Sequence, residues 1–157
     1  MKDAKASSLT VSDLKKHVGF WLRFVSNHVS HAFARKLQAC GVTVAEWVVM
    51  REMFDDEEIS PGVVAERIGM TRGGVSKLVD RLVGKALITR TDRTDDRRFQ
   101  SIALTAAGRR LIPQLAKLAD QNDEEFFGPL SGKERAALLA SMKKLVQAHG
   151  LETLPTE

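Results

Sequence analysis

"SPGVVAERIGMTRGGVSKLVDRL", residues 60–82, is the stretch whose reading decides the fold. Ser60 before Pro61 reads as a helix opening, because the hydroxyl can accept an orphan amide and proline lacks the N–H that would go unpaired there. Gly69 offers the left-handed stop that ends a short helix. Thr71, two residues on, is a second cap. In the run it opens, Val75, Leu78, Val79, Leu82 and Val83 fall on one face at helical spacing. Arg72, Gly73, Ser76, Lys77, Asp80, Arg81 and Gly84 fall on the other. Two short helices joined by a tight glycine-containing turn form a helix-turn-helix, and the second is the candidate reader.

Downstream, "ALITR" (86–90) and "FQSIALT" (99–105) are short runs rich in β-branched or alternating apolar residues. Between them lies "RTDRTDDRRF" (90–99), a charge run that on its own is most simply a solvated loop. Two strands joined by such a tip make a β-hairpin, and a hairpin directly after a helix-turn-helix is the layout of a winged helix. The expected fold is therefore mainly α with a small β-hairpin wing.

Upstream, Ser12 or Asp13 can cap a long helix running to about Cys40, with Gly41 as its stop. Val18, Leu22, Val25, Val29, Phe33 and Leu37 form its apolar stripe. "TVAE" (43–46) is a capping box opening a second helix, which the acidic "DDEE" (55–58) ends. After the hairpin, Thr105 caps a helix through Leu111, Leu115, Leu118 and Phe126, with Pro113 expected to bend it. "SGKE" (131–134) is another capping box. It starts a last helix carrying Leu138, Leu139, Met142, Leu145 and Val146 on one side.

The 157 residues suit one domain, and 43% apolar with 28% charged residues is ordinary for a soluble globular chain. No apolar run is long enough to span a membrane, and the lysines of the N-terminus precede no apolar segment of the kind a signal peptide needs. Cys40 is the one cysteine, which excludes an intrachain disulfide. These features point to the cytoplasm. The formal net charge is +4. From residue 71 to 98 there are eight basic and four acidic side chains, so the excess is concentrated in one segment, as expected of a nucleic-acid-binding face. No Ser-His-Asp pattern, phosphate loop or metal triad is present, so neither enzyme activity nor a cofactor is expected.

With this order of elements the sequence resembles the MarR family of transcriptional regulators over nearly its whole length. The resemblance is carried by "TRGGVSKLVDRLVGKALITR" (71–90) and "DDRRFQSIALTAAG" (95–108), in which Asp96, Arg98, Leu104–Thr105 and Ala107–Gly108 complete the wing pattern. It implies a winged helix-turn-helix lobe over 43–105. It also implies a homodimer in which helices from 12–40 and 106–150 intertwine, within a single domain spanning 1–157. Double-stranded DNA is the implied partner, bound at a palindromic operator and released by a small effector, as in a repressor. Arg72, Ser76, Lys77 and Arg81 would contact bases or phosphates. Asp80 on that face would repel phosphate unless it pairs with Lys77 or Arg81. By the resemblance Arg98 enters the minor groove, Asp96 braces the arm, and Arg97 is a phosphate contact or a second probe. Gly73 and Gly74 depart from the serine or alanine-like residues usual there. They read either as a bare backbone for close approach to DNA or as a tolerated cost near a helix start.

The family binds small aromatic or acidic effectors between the dimer helices and the winged helix. Trp21, His28, His31, Trp47 and Arg51 are the candidates here, since an aromatic wall with an arginine suits an aromatic carboxylate. His28 and His31 read first as a structural or solvated pair and second as part of an effector pocket, and they have no third ligand for a metal. Trp47 is equally at home in a core. Cys40 raises a redox-responsive alternative, although peroxide sensors of the family use an earlier cysteine with tyrosine partners and this chain has no tyrosine. A winged helix serving as a protein-interaction module is the remaining alternative.

Overall fold

The computed structural model describes residues 11–92 and 100–152. Its elements run in the expected order: α1 (Val18–Gln38), α2 (Val44–Glu52), α3 (Pro61–Ile68), α4 (Arg72–Gly84), β1 (Ile88–Asp92), β2 (Gln100–Leu104), α5 (Ala106–Phe127) and α6 (Gly132–His149).

The boundaries follow from local chemistry. Ser60 accepts from the Val63 amide, Pro61 begins α3, and Gly69 closes it with φ +66°. Thr71 accepts from the Gly74 amide to open α4. Both capping boxes form, Thr43 with Glu46 and Ser131 with Glu134. The start of the first helix differs from expectation. Asp13 caps a separate 3-10 turn, Leu14–Lys16, and α1 begins only at Val18. His17 takes an extended backbone (ψ 125°) that interrupts the path. The Trp21 indole then donates to the Lys15 carbonyl at 2.9 Å and ties the turn back onto α1.

The two strands pair antiparallel with Ile88 opposite Leu104 and Asp92 opposite Gln100. Ile59 adds a bridge to Ile102, an edge not visible in the sequence pattern. Val49, Met50, Val64, Val75, Val79, Leu82, Ile88 and Ile102 bury the centre of the lobe, and Leu37 and Leu115 reach into it from α1 and α5. Val83, expected on the apolar face of α4, is instead exposed, because the chain leaves the core as α4 ends.

The Leu104–Thr105 and Ala107–Gly108 pattern acquires a physical meaning here. The Thr105 hydroxyl donates to the Ala86 carbonyl at 2.8 Å, and its amide donates to the Leu87 carbonyl at 3.0 Å. A Cβ on Gly108 would lie 2.3 Å from that same Leu87 oxygen, so only glycine lets α5 press against the turn between α4 and β1. α5 is fastened to α1 by Asn122, which is buried, donates to the Val29 carbonyl (3.2 Å) and accepts from Lys36 (3.0 Å).

α6 is the exception to this packing, for none of its residues is buried. Arg135 holds its base by donating to the Phe127 carbonyl and to Glu124, both at 2.8 Å. Its apolar side, including Leu139 and Leu145, is half exposed, and so are Leu22 and Val25 of α1.

Candidate nucleic-acid interface

α4 buries Val75, Leu78, Val79 and Leu82 and turns Arg72, Gly73, Ser76, Lys77, Asp80 and Arg81 outward. Arg72 lies beside Gly62 of α3, where a Cβ would stand 3.8 Å from its guanidinium carbon. Among the described residues no carboxylate pairs with Arg72, Lys77 or Arg81. Three uncompensated cations on one face of one helix are suited to phosphate and to the acceptor edges of guanine.

The two glycines are not equivalent. Gly73 faces open space, so the backbone there is bare toward solvent. A Cβ on Gly74 would come 3.0 Å from the Thr71 hydroxyl, so this position packs against the cap.

Asp80 does not pair with Lys77 or Arg81, as its helical neighbours suggested. Its carboxylate accepts from the Arg90 guanidinium, ten residues on in β1. Arg90 lies two residues beyond buried Ile88 and opposite Ile102 in β1, and its side chain reaches across to α4. Asp96, Arg97 and Arg98 lie outside the described residues.

A second ion pair secures the other end of α4. Lys85, its C-cap, donates to Glu46 (2.7 Å) and to the Gly41 carbonyl (2.8 Å). Glu46 is 1% exposed and also accepts from the Thr43 amide at 2.8 Å. Burial alone would raise its carboxyl, but the hydrogen bonds from Lys85 and Thr43 outweigh that and hold it below its ordinary value. The loop joining α1 to α2 is thereby fixed to the end of the reading helix.

The five effector candidates do not converge. Trp21 lines an apolar groove of about 470 Å³ with Leu22, Val25 and Val29 of α1, Phe127 of α5 and Met142 of α6. Trp47 is buried in the core of the winged-helix lobe and so packs rather than walling a cavity. Arg51 is exposed, pairs with Asp55 (3.0 Å) and lies over the Phe54 ring. His28 and His31 are exposed on α1, away from that groove. His28 lies against Phe24, which continues through Phe20 and Trp21 as a ladder of rings 4.7 to 6.2 Å apart. Cys40 is half-buried and packs against the lobe's core. No cluster of three His, Cys, Asp or Glu residues suits a metal among the described residues. No helix among them is long and apolar enough to cross a membrane.

A helix-turn-helix with an outward cationic reading face and an adjoining hairpin defines a winged-helix protein with a DNA-binding fold. Residues 41–98 match the profile of the MarR family. The transcriptional regulator HosA of Escherichia coli O111:H- is 27% identical over 107 residues, covering 68% of this chain and 79% of its own length. Two solved structures share the fold. Bordetella bronchiseptica BpsR, described with regulation of its DNA binding by 6-hydroxynicotinic acid, is 24% identical with a TM-score of 0.78 over 86% of this chain and 98% of its own. A mutant MarR from E. coli complexed with operator DNA is 23% identical with a TM-score of 0.75, covering 86% and 99%. The chain is thus similar to the MarR family over residues 41–98, and the relatives it matches are described as transcriptional regulators.

Proposed function

We propose that this regulator is a homodimeric repressor that reads a palindromic operator with α4 and the wing and is released by a small aromatic effector, an aromatic acid being the leading class. The observation that carries the DNA reading is the outward face of α4. Arg72, Lys77 and Arg81 share it with Ser76 and the bare backbone of Gly73, and no described carboxylate pairs with those cations. In this reading Arg72, Gly73, Gly74, Ser76, Lys77 and Arg81 form the major-groove surface. Asp96, Arg97 and Arg98 supply the arm that enters the minor groove.

The dimer reading is supported by the half-exposed apolar sides of α1 and α6 facing a common groove, the kind of apolar surface that marks an interaction site. Two copies joined there would present two α4 helices to successive turns of one DNA face. The effector reading is supported by the Trp21 indole at the edge of that groove and by the ligand named for BpsR. An effector acts in this scheme by favouring one spacing of the two reading helices over another.

The test is salt dependence. A duplex selected from a random library is titrated by fluorescence anisotropy at several salt concentrations. A dimer neutralising about 8 phosphates gives a log–log slope near −7, from about −0.9 per phosphate. A slope shallower than about −2 would instead favour a protein-interaction module.

A further inference from the structure

We propose that the Asp80–Arg90 pair is a positioning strut: it sets the root of the wing against the reading helix, so that the two DNA-contacting elements act as one unit. The proposal rests on the DNA-binding reading above and concerns residues to which that reading gave no contact.

Asp80 is an acid in the middle of a surface that otherwise suits phosphate. Lys77 and Arg81 flank it on the same outward face of α4. An unpaired carboxylate there would oppose DNA by charge alone. Its partner is not a solvated side chain free to leave. Arg90 is anchored by backbone pairing opposite Ile102, its side chain is 28% exposed, and its Nε is buried. The aliphatic stem therefore lies between α4 and the hairpin, and only the outer part of the guanidinium reaches the Asp80 carboxylate. Two residues beyond Arg90 the strand ends at Asp92.

The geometry gives the pair two effects. It neutralises the acid on the reading face, and it fixes the direction in which the strand leaves the lobe. A wing held in place before DNA arrives does not have to be ordered on binding, which is where affinity is gained by preorganisation. The acid thus strengthens binding even though its charge alone would weaken it.

That opposition of sign makes the test decisive. Asp80→Asn, Arg90→Gln and the double variant are titrated against the selected duplex, with A·T-rich and with G·C-rich flanks, beside thermal melts. Each single change is expected to weaken binding about 3- to 10-fold and to reduce the preference between flanks; Asp80→Asn, at a side chain 61% exposed, should also leave the melting temperature close to that of the parent. The double variant should be no weaker than the weaker single, because both break one unit. If Asp80 is only a solvated acid, Asp80→Asn binds more tightly than the parent on both flanks, and that result overturns the strut. Additive losses in the double variant overturn it as well. Failure of the unaltered protein to yield any selected duplex would overturn the DNA-binding reading itself, and the strut with it.

Discussion

Lys85→Met isolates the tie between the reading helix and the α1–α2 loop. The substitution keeps the aliphatic stem and removes the ammonium that donates to Glu46 at 2.7 Å and to the Gly41 carbonyl at 2.8 Å. Glu46, 1% exposed, is left with the Thr43 amide as its remaining described partner. Removing one member of a fully buried pair costs about 3–5 kcal/mol. The Lys85 side chain is 38% exposed, so water softens the loss, and about 2 kcal/mol is expected. In a chain of this length that lowers Tm by roughly 4–8 °C. The pH dependence carries a sign. Glu46 is held below its ordinary value, so its pairing stabilises the fold above the unfolded carboxylate range and is lost as pH falls through the folded value. The penalty of Lys85→Met should therefore be full at neutral pH and shrink as pH falls through the lowered folded value, below which Glu46 is protonated in the parent too. Adding Glu46→Gln should restore part of the neutral-pH loss. Denaturant melts at fixed protein concentration measure all three. A Lys85→Met penalty below about 0.5 kcal/mol at neutral pH, or one equal at both ends of the range, would refute the reasoning.

Ala86→Gly should raise Tm by about 2–4 °C, because Ala86 holds φ +57°, a region that costs a non-glycine residue about 1–2 kcal/mol, partly offset by the freer unfolded glycine; a lower Tm in calorimetry would count against it. Leu139→Glu with Leu145→Glu places charge on the half-exposed side of α6 and is expected to give monomers by light scattering, with the winged-helix lobe still folded by circular dichroism; an unchanged mass would remove α6 from the interface. Lys77→Ala should weaken all sequences alike and reduce the salt slope by about one per subunit. Arg98→Ala should weaken sites with A·T-rich flanks most, by about 1–3 kcal/mol per contact, and Asp96→Ala should do the same more mildly. Tighter binding by Asp96→Ala on every flank would make the run at 90–99 a solvated loop.

What could be read from the sequence was local. Ser60, Pro61, Gly69 and Thr71 act within one helical turn of themselves, so their types were sufficient to set the helix-turn-helix, and the same holds for both capping boxes. What could not be read depends on chain reversals. Asp80 meets Arg90 because the backbone turns at Ala86, a left-handed position that an alanine does not advertise. Glu46 meets Lys85 across 39 residues, and its role in the capping box already accounted for its presence. Trp21 and Trp47 carry the same ring, and nothing in residue type says that one lines a groove while the other fills the core. The start of α1 is not legible because Ser12 and Asp13 are both good caps, whereas the break depends on the extended backbone of His17.

That division of the two tryptophans has a spectroscopic consequence. The chain has no tyrosine, so its ultraviolet emission comes from two indoles in unlike places. Trp47 is shielded in the winged-helix core and should emit toward the blue until the lobe opens. Trp21 is 49% exposed at the edge of the α1–α6 groove, and its emission should shift whenever that groove is covered by a second chain or an aromatic molecule. Trp21→Phe leaves an emitter that follows unfolding, and Trp47→Phe leaves one that follows what happens at the groove. The protein is thus built with an unlabelled optical readout for each event.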